Sequence, residues 1–358
     1  MSLLSTSLVD FRPQRRLRAQ NSPATPTVLF LYLILMLSSP IFGQSPSQEP
    51  LPGPPVSTPQ SPSITPDNKA SQDTGDAGQF VFKKKVEEVI LHAVVVDQQN
   101  DLVSNLPQTD FHVLEDGKQQ EITSFHQEKV PVALGILIDN SGSMRPKREA
   151  VNRAALNLAR SSDPQDEIFV VNFGEEPYLD QDFTNDVGKL QAALAKIETR
   201  GSTALYDAIV ASAAHMKQGA GLQKRVLLVV TDGDDNASQD SVEEAVQQLQ
   251  QKDSPVVYVI ALLNPAKRTS SAIRGLQDIS HNTGGAAYFP TDAQEVDSIT
   301  RNIASAIRNQ YVIGYKSSST AAGRVYHAIE VDAYDPSHGK LRVRTRTGYY
   351  SDSVGGAP

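Results

Sequence analysis

An acidic residue and two serines at alternate positions, Asp139-Asn140-Ser141-Gly142-Ser143, directly follow the apolar run Ile136-Leu137-Ile138. Carboxylate and hydroxyl oxygens are hard ligands of the kind that Mg²⁺ and Ca²⁺ bind in proteins. A continuous apolar run with β-branched residues is typical of a buried parallel strand. Ligands of open parallel sheets bind beyond the carboxyl ends of the strands. The stretch therefore predicts a metal site on a loop that joins a strand to a helix.

Two further loops at predicted strand ends also carry oxygen ligands. Gly201-Ser202-Thr203 stands just before a helical pattern, and Thr231-Asp232-Gly233 ends another fully apolar run. Asp and Ser are also common helix N-caps, and Asp139 with Ser141 alone would be caps more often than ligands. All five oxygen-bearing residues together favour a divalent ion. Two carboxylates and three neutral hydroxyls would leave that ion with an open position, because Mg²⁺ takes six oxygens.

The elements that must position these loops alternate between strands and helices. Alternation of this kind implies a parallel sheet with helices on both faces. We therefore predict an α/β domain over residues 129–310, with a doubly wound, mostly parallel, Rossmann-like sheet. Its predicted strands are Val132–Ile138, Ile168–Phe173, Val226–Val230 and Val256–Leu262, and its predicted helices include Ala204–Met216, Ser241–Leu249 and a last one over 296–307.

Segments rich in β-forming residues flank this domain on both sides. Residues 79–128 are predicted to be a β-strand unit, in which Asp116-Gly117 marks a hairpin between the runs at Phe111 and at Ile122–Phe125. Residues 311–350 return to a period of two, which predicts further strands. We expect the two segments to pack together as a small β domain, with residues 351–358 as a flexible tail.

The first 78 residues are predicted to serve export rather than the fold. Residues 1–43 combine four arginines with an apolar stretch from Val28 to Leu37, which is typical of a signal peptide, with an uncleaved N-terminal membrane anchor as the alternative. The apolar stretch is about half of the roughly 20 residues that a spanning helix needs. Residues 44–78 are rich in Pro, Ser and Gln and predict a disordered linker. The protein is thus expected to be periplasmic, secreted or at the cell surface.

The composition excludes several classes of function. The 358-residue chain has no cysteine, so disulfides, zinc–thiolate sites, iron–sulfur clusters and cysteine catalysis are ruled out. Its net charge of −8 argues against nucleic acid as a partner, since nucleic-acid-binding proteins usually show a basic footprint.

The pattern Asp-x-Ser-x-Ser, the downstream Thr203 and the later Asp232 resemble the metal-ion-dependent adhesion site of von Willebrand factor type A (VWA) domains. The resemblance covers about residues 130–310. The flanking Asp110-Phe111, Glu115-Asp116-Gly117, Tyr311-Val312-Ile313-Gly314-Tyr315 and Arg346-Thr347-Gly348-Tyr349-Tyr350 are similar to a VWA-related family found in acidobacteria.

This resemblance implies specific roles for the five residues. Ser141, Ser143 and Thr203 would bind the ion, and Asp139 and Asp232 would bind it directly or through water. The ion would be Mg²⁺, or Mn²⁺ or Ca²⁺ in its place. A Glu or Asp carboxylate of a protein partner would fill the open position, so the implied function is non-catalytic adhesion.

Two other functions use the same residues. A metal-dependent hydrolase is disfavoured, because Ser141 stands where phosphotransferases of the haloacid type carry a second Asp as general acid. The Gly-x-Ser-x-Gly elbow and the phosphate-binding loop of NTPases are also absent. A structural scaffold that a metal merely stabilises is the third alternative. Outside the five residues, Asp234-Asp235-Asn236 suggests a second cation site or, with greater weight, a polar turn.

Overall fold

The computed structural model describes residues 88–127, 129–195, 201–233, 235–263, 269–320 and 323–351. The predicted export segment, the linker and almost all of the predicted tail lie outside these ranges. Within them, no helix has the length and apolar character needed to cross a membrane.

The strands of the described part are numbered in chain order. They are β1 (Glu88–Val96), β2 (Phe111–Glu115), β3 (Lys118–Gln120), β4 (Ile122–His126), β5 (Val132–Asp139), β6 (Glu167–Phe173), β7 (Pro177–Thr184), β8 (Lys224–Thr231), β9 (Val256–Ala261), β10 (Ala287–Tyr288), β11 (Tyr311–Lys316), β12 (Tyr326–Asp335), β13 (Gly339–Arg344) and β14 (Gly348–Tyr350).

The helices of the described part follow the same convention. They are α1 (Arg148–Ser161), α2 (Val187–Ala195), α3 (Leu205–Gly219), α4 (Val242–Leu249), α5 (Ser270–Thr283) and α6 (Glu295–Arg308). A 3₁₀ turn over Gly142–Lys147 leads from the first predicted metal loop into α1.

The central sheet has six strands in the order β10-β9-β8-β5-β6-β7. β5 pairs in parallel with both β6 and β8, and β9 and β10 continue the parallel part. β7 pairs antiparallel with β6. The predicted α/β class is therefore confirmed. Because the sheet is mixed, "Rossmann-like" is too specific a description of it.

Two apolar cores lie against the central sheet. Because successive side chains of a strand point to opposite faces, Ile136 and Ile138 belong to the core that includes residues of α1 and α6. Leu137 belongs to the other core, which it shares with Phe169 and residues of α3 and α5. All eight residues of β5 are buried, which explains why its sequence is an unbroken apolar run rather than an alternating one.

The N- and C-terminal strands form a separate antiparallel sheet of eight strands. β11 lies between β1 and β4, and β12 lies between β2 and β13, so strands from both ends of the chain interleave. Their inner faces share one apolar core, in which the rings of Phe111, Phe125 and Tyr311 pack against each other. The exact domain boundaries 79–128 and 311–350 remain predictions.

The Asp116-Gly117 hairpin forms, with a partner strand that differs from the expected one. Both residues have positive φ, 51° and 75°, as a type I′ turn requires. The strand that returns from the turn is β3, whereas Ile122–His126 leaves the hairpin and pairs with β11. The sequence interpretation took Ile122–Phe125 as the partner strand and did not identify β3, which is only three residues long and polar.

Candidate metal centre

The carboxyl ends of β5 and β8 place two of the predicted loops side by side. The two strands pair in parallel up to Ile138 and Val230, so Asp139 and Thr231 end neighbouring strands. The amide of Asn140 donates to the carbonyl of Phe173 at 2.6 Å, which ties the first loop to the end of β6. The site therefore lies at the strand-end edge where the sequence placed it.

Asp139 is completely buried, and both of its carboxylate oxygens accept hydrogen bonds. Oδ1 accepts from the amide of Ser141 at 2.8 Å, and Oδ2 accepts from Thr231 Oγ1 at 2.6 Å. Burial raises the pKa of Asp139 above its ordinary value, and the charge of Asp232 adds to that rise. A cation at this place would favour the ionised carboxylate.

Ser143 connects the first loop to the third through side-chain oxygens. Ser141 Oγ and Ser143 Oγ lie 3.2 Å apart and share a hydrogen bond, and Ser143 Oγ donates to Asp232 Oδ1 at 2.7 Å. Ser141 and Asp232 are both buried. Three of the five predicted ligands thus present oxygens to one another within hydrogen-bonding distance.

The loop that carries Thr203 lies against the loop that follows Asp232. The side-chain Oδ1 of Asn236 accepts from the backbone amide of Thr203 at 2.8 Å. The backbone amide of Asn236 donates to the Thr203 carbonyl at 3.0 Å. A Cβ added to Gly233 would lie 3.9 Å from Thr203 Oγ1, so this hydroxyl lies near the residue that follows Asp232. Thr203 itself is buried.

Asp235 holds the start of α3, directly behind Thr203. Its Oδ1 accepts from the amide of Leu205 at 2.7 Å and from the hydroxyl of Ser238 at 2.5 Å. The residue at the N-cap position of α3, Ala204, has no capping side chain of its own, so Asp235 supplies the cap from another loop. Asp235 and Asn236 therefore bond to backbone groups, as a polar turn does, and Asp234 lies outside the described residues.

Two basic residues near the site were missed in the sequence interpretation. Lys147 Nζ lies 2.5 Å from Asp232 Oδ2, and Arg148 donates to the carbonyl of Asp139 at 2.9 Å and to Asn172 Oδ1 at 2.7 Å. Lys147 ends the 3₁₀ turn that carries Ser143, and no local pattern in the sequence indicated that it faces Asp232.

The donor set fits a small divalent ion. All five predicted ligands are oxygen donors, and bonds of about 2.0–2.1 Å to Mg²⁺ place adjacent corners of an octahedron about 2.8–3.0 Å apart. The oxygen–oxygen distances from Ser143, 3.2 Å to Ser141 and 2.7 Å to Asp232, bracket that value. Because both oxygens of Asp139 are already hydrogen-bonded, its part in the site fits a contact through water or an orienting role.

A second group that could hold an ion lies in the terminal sheet. Glu115, Asp116 and His327 bring ligand atoms within 4.8 Å of one another. Glu115 Oε2 accepts from Tyr315 Oη at 2.6 Å, and Asp116 Oδ2 lies 2.8 Å from His327 Nδ1. These bonds join β2, β11 and β12, which gives the group a structural role without a metal.

Comparison with known proteins identifies the central part of the chain. Residues 134–234 match the model of the von Willebrand factor type A domain, so this part of the chain is similar to that family. Domains of this family are generally non-catalytic interaction modules and often bind a divalent metal ion. No curated protein sequence matches the chain.

Three solved structures are also similar to parts of the chain. An aerotolerance-related membrane protein of Bacteroides fragilis, with multiple mutations to serines, is 20% identical, with 49% of this chain and 98% of that one covered and a TM-score of 0.42. BatB of Bacteroides thetaiotaomicron is 19% identical, with 49% and 97% covered and a TM-score of 0.41. A von Willebrand factor type A protein of Catenulispora acidiphila is 12% identical, with 76% of each chain covered and a TM-score of 0.44.

Proposed function

We propose that this protein binds a protein partner through a divalent metal ion held by Asp139, Ser141, Ser143, Thr203 and Asp232. The ion is Mg²⁺, or Mn²⁺ or Ca²⁺ in its place. The partner offers a Glu or Asp carboxylate that completes the coordination of the ion. The VWA domain is the interaction module of the chain and performs no catalysis.

The observation that carries the proposal is the chain of short oxygen contacts between two loops. Ser141, Ser143 and Asp232 present their oxygens to one another at 3.2 and 2.7 Å. Hydroxyl groups that only cap helices would bond to backbone amides, yet neither the 3₁₀ turn after Ser141 nor α1 has a side-chain cap. The Ser143 side chain thus faces Asp232, and the Ser141 side chain faces Ser143, instead of capping the helix.

The charge of the site supports capture of an anion. Only Asp139 and Asp232 among the five residues are ionisable, so a divalent ion is not surrounded by an excess of carboxylates. Such an ion keeps positions for water or for an outside ligand. A carboxylate is the ligand of choice for a hard cation, which makes an acidic side chain of a partner the matching group.

The N-terminal sequence supports a place outside the cytoplasm. We propose that residues 1–43 direct export, as a cleaved signal peptide or an N-terminal anchor, and that residues 44–78 form an extended linker. The folded part would follow as the β-strand unit 79–128, the VWA domain 129–310 and the strands 311–350. This arrangement would present the metal site to partners in the periplasm, at the cell surface or in the medium.

A two-step binding experiment tests the proposal. Mn²⁺ is titrated into the metal-free protein, with uptake followed by electron paramagnetic resonance, and one ion per chain is expected. The protein is then applied to an array of peptides that contain Glu, each next to a copy with Gln in its place. Binding to Glu peptides with Mn²⁺, and loss of that binding with EDTA and in Asp232→Ala, is the expected result.

The alternatives give different results. Turnover of p-nitrophenyl phosphate or acetate that disappears in Asp139→Ala would establish a hydrolase and overturn the proposal. Peptide binding that is equal with and without EDTA, combined with a melting temperature that Mn²⁺ raises, would establish a scaffold stabilised by its metal. Absence of Mn²⁺ uptake would refute the metal site itself.

A further inference from the structure

Lys147 brings a positive charge into the candidate metal centre. Its Nζ lies 2.5 Å from Asp232 Oδ2 and donates to the carbonyl of Leu262 at 2.9 Å. The Asp232 side chain is 1% exposed and the Lys147 side chain 23%, so the pair is mostly removed from water. The 3₁₀ turn Gly142–Lys147, which also carries Ser143, fixes this position.

The two oxygens of Asp232 have different partners. Oδ1 accepts from Ser143, whereas Oδ2 faces the lysine. A buried carboxylate without a counter-charge is strongly disfavoured. The second carboxylate, that of Asp139, is buried on the next strand and adds its repulsion. The metal-free site therefore needs a cation, and Lys147 supplies one from within the chain.

We infer that Lys147 is a resident cation, which neutralises Asp232 when the metal is absent and opposes the metal when it binds. This inference rests on the proposed metal site. Lys147 is a positioning and specificity-determining residue in this view and not a ligand, because an ammonium group has no lone pair to offer. Its charge stabilises the metal-free fold and weakens divalent-ion binding.

The same charge has a consequence for the partner. A divalent ion bound beside Asp139, Asp232 and Lys147 sees one of its two carboxylates already neutralised. The loaded site therefore keeps more positive charge than two aspartates alone would leave. This residual charge favours an incoming carboxylate. Lys147 therefore lowers the affinity of the site for the metal and raises the affinity of the loaded site for the acidic partner.

Charge removal at Lys147 tests the inference. Lys147→Met keeps most of the length of the side chain and removes its charge, and Lys147→Arg keeps the charge. Lys189→Met is the matched control. Lys189 is exposed on α2, and its replacement makes the same change in net charge away from the site. Each protein is purified with Mn²⁺ and stripped with EDTA, and its melting temperature and Mn²⁺ affinity are measured.

The expected results separate the variants in both measurements. Lys147→Met should bind Mn²⁺ about tenfold more tightly than wild type, because a nearby like charge has been removed. Its melting temperature in EDTA should fall by about 2–6 °C, and Mn²⁺ should restore more of it than in wild type. Lys147→Arg should stay close to wild type in EDTA, and Lys189→Met should match wild type in both measurements.

Failure of the inference and failure of the proposed function differ in outcome. If wild type binds Mn²⁺ and Lys147→Met binds it equally or more weakly, the lysine does not oppose the metal and the inference is wrong. An unchanged melting temperature of Lys147→Met in EDTA also overturns it. If neither protein binds Mn²⁺, the proposed metal function is wrong, and the inference falls with it.

Discussion

Thr231 Oγ1 donates a hydrogen bond of 2.6 Å to Asp139 Oδ2, and both residues are completely buried. The bond joins the last residues of two neighbouring parallel strands at the candidate metal centre. Thr231→Val keeps the shape of the side chain and removes the donor. We expect the free energy of unfolding to fall by about 1–3 kcal/mol, because a buried carboxylate loses a partner. Urea unfolding of the metal-free protein at neutral pH measures the change.

Thr300→Val provides the control for this prediction. The Thr300 hydroxyl is also buried and donates to the carbonyl of Val296 within α6. That carbonyl belongs to a regular helix, so the loss should be smaller, and Mn²⁺ affinity should stay unchanged. Weaker Mn²⁺ binding in Thr231→Val alone would show that the bond orients Asp139, whereas equal stability of Thr231→Val and wild type would contradict the prediction.

Asp235 caps α3 from a different loop and so positions Thr203. Asp235→Ala should lower the free energy of unfolding by about 1–2 kcal/mol, as loss of a helix cap does, and should weaken Mn²⁺ binding. Asp186→Ala is the matched control, because Asp186 accepts from the amides of Gly188 and Lys189 at the start of α2. Calorimetric Mn²⁺ titration should separate the two variants, and equal Mn²⁺ affinities would show that the cap does not position Thr203.

The terminal-sheet group of Glu115, Asp116 and His327 is a rival for metal binding. Because the two carboxylates already accept hydrogen bonds from Tyr315, Ala328 and His327, we expect no ion there. His327→Gln should therefore leave Mn²⁺ uptake at one ion per chain, whereas Asp232→Ala should abolish it. Electron paramagnetic resonance of both variants decides between the two places, and the reverse pattern would move the metal site to the terminal sheet.

The lowered pKa of His92 predicts a loss of stability in mild acid. Burial, together with the positive charges of Lys224 and Arg346, lowers the pKa of His92 from 6.5 to about 4. Its Nδ1 is buried without a hydrogen-bond partner among the described residues. Between pH 6.5 and 4, His92 is therefore protonated in the unfolded chain and neutral in the folded chain. The free energy of unfolding thus falls as the pH is lowered through this window.

His92→Gln should remove this dependence. Relative to the variant, wild type should lose about 1–2 kcal/mol between pH 7 and pH 5, measured as the difference in urea unfolding at the two values. His112→Gln is the control for a histidine replaced at an exposed position, since His112 is exposed on β2. A parallel pH response of His92→Gln and wild type would refute the prediction.

The strands and helices that were predicted incompletely show what local patterns lack. β7 is an edge strand with mostly exposed or half-buried residues, so its sequence has no apolar alternation to detect. α5 carries Gly275 within the helix, which weakens a helical signal. Conversely, β5 and β8 were readily predicted, because strands buried on both faces must be apolar throughout.

The sequence by itself determined the α/β class, the strand-end position of Asp139 and Asp232, and the oxygen character of the candidate ligands. These features depend on apolar periodicity and on residue type, both of which are local. Only the tertiary structure decided that Asp235 caps a helix 30 positions earlier in the chain, that Thr231 bonds to Asp139, and that Lys147 faces Asp232. Such contacts join residues that are far apart in the chain, and their distances follow from strand order and packing, which no local pattern encodes.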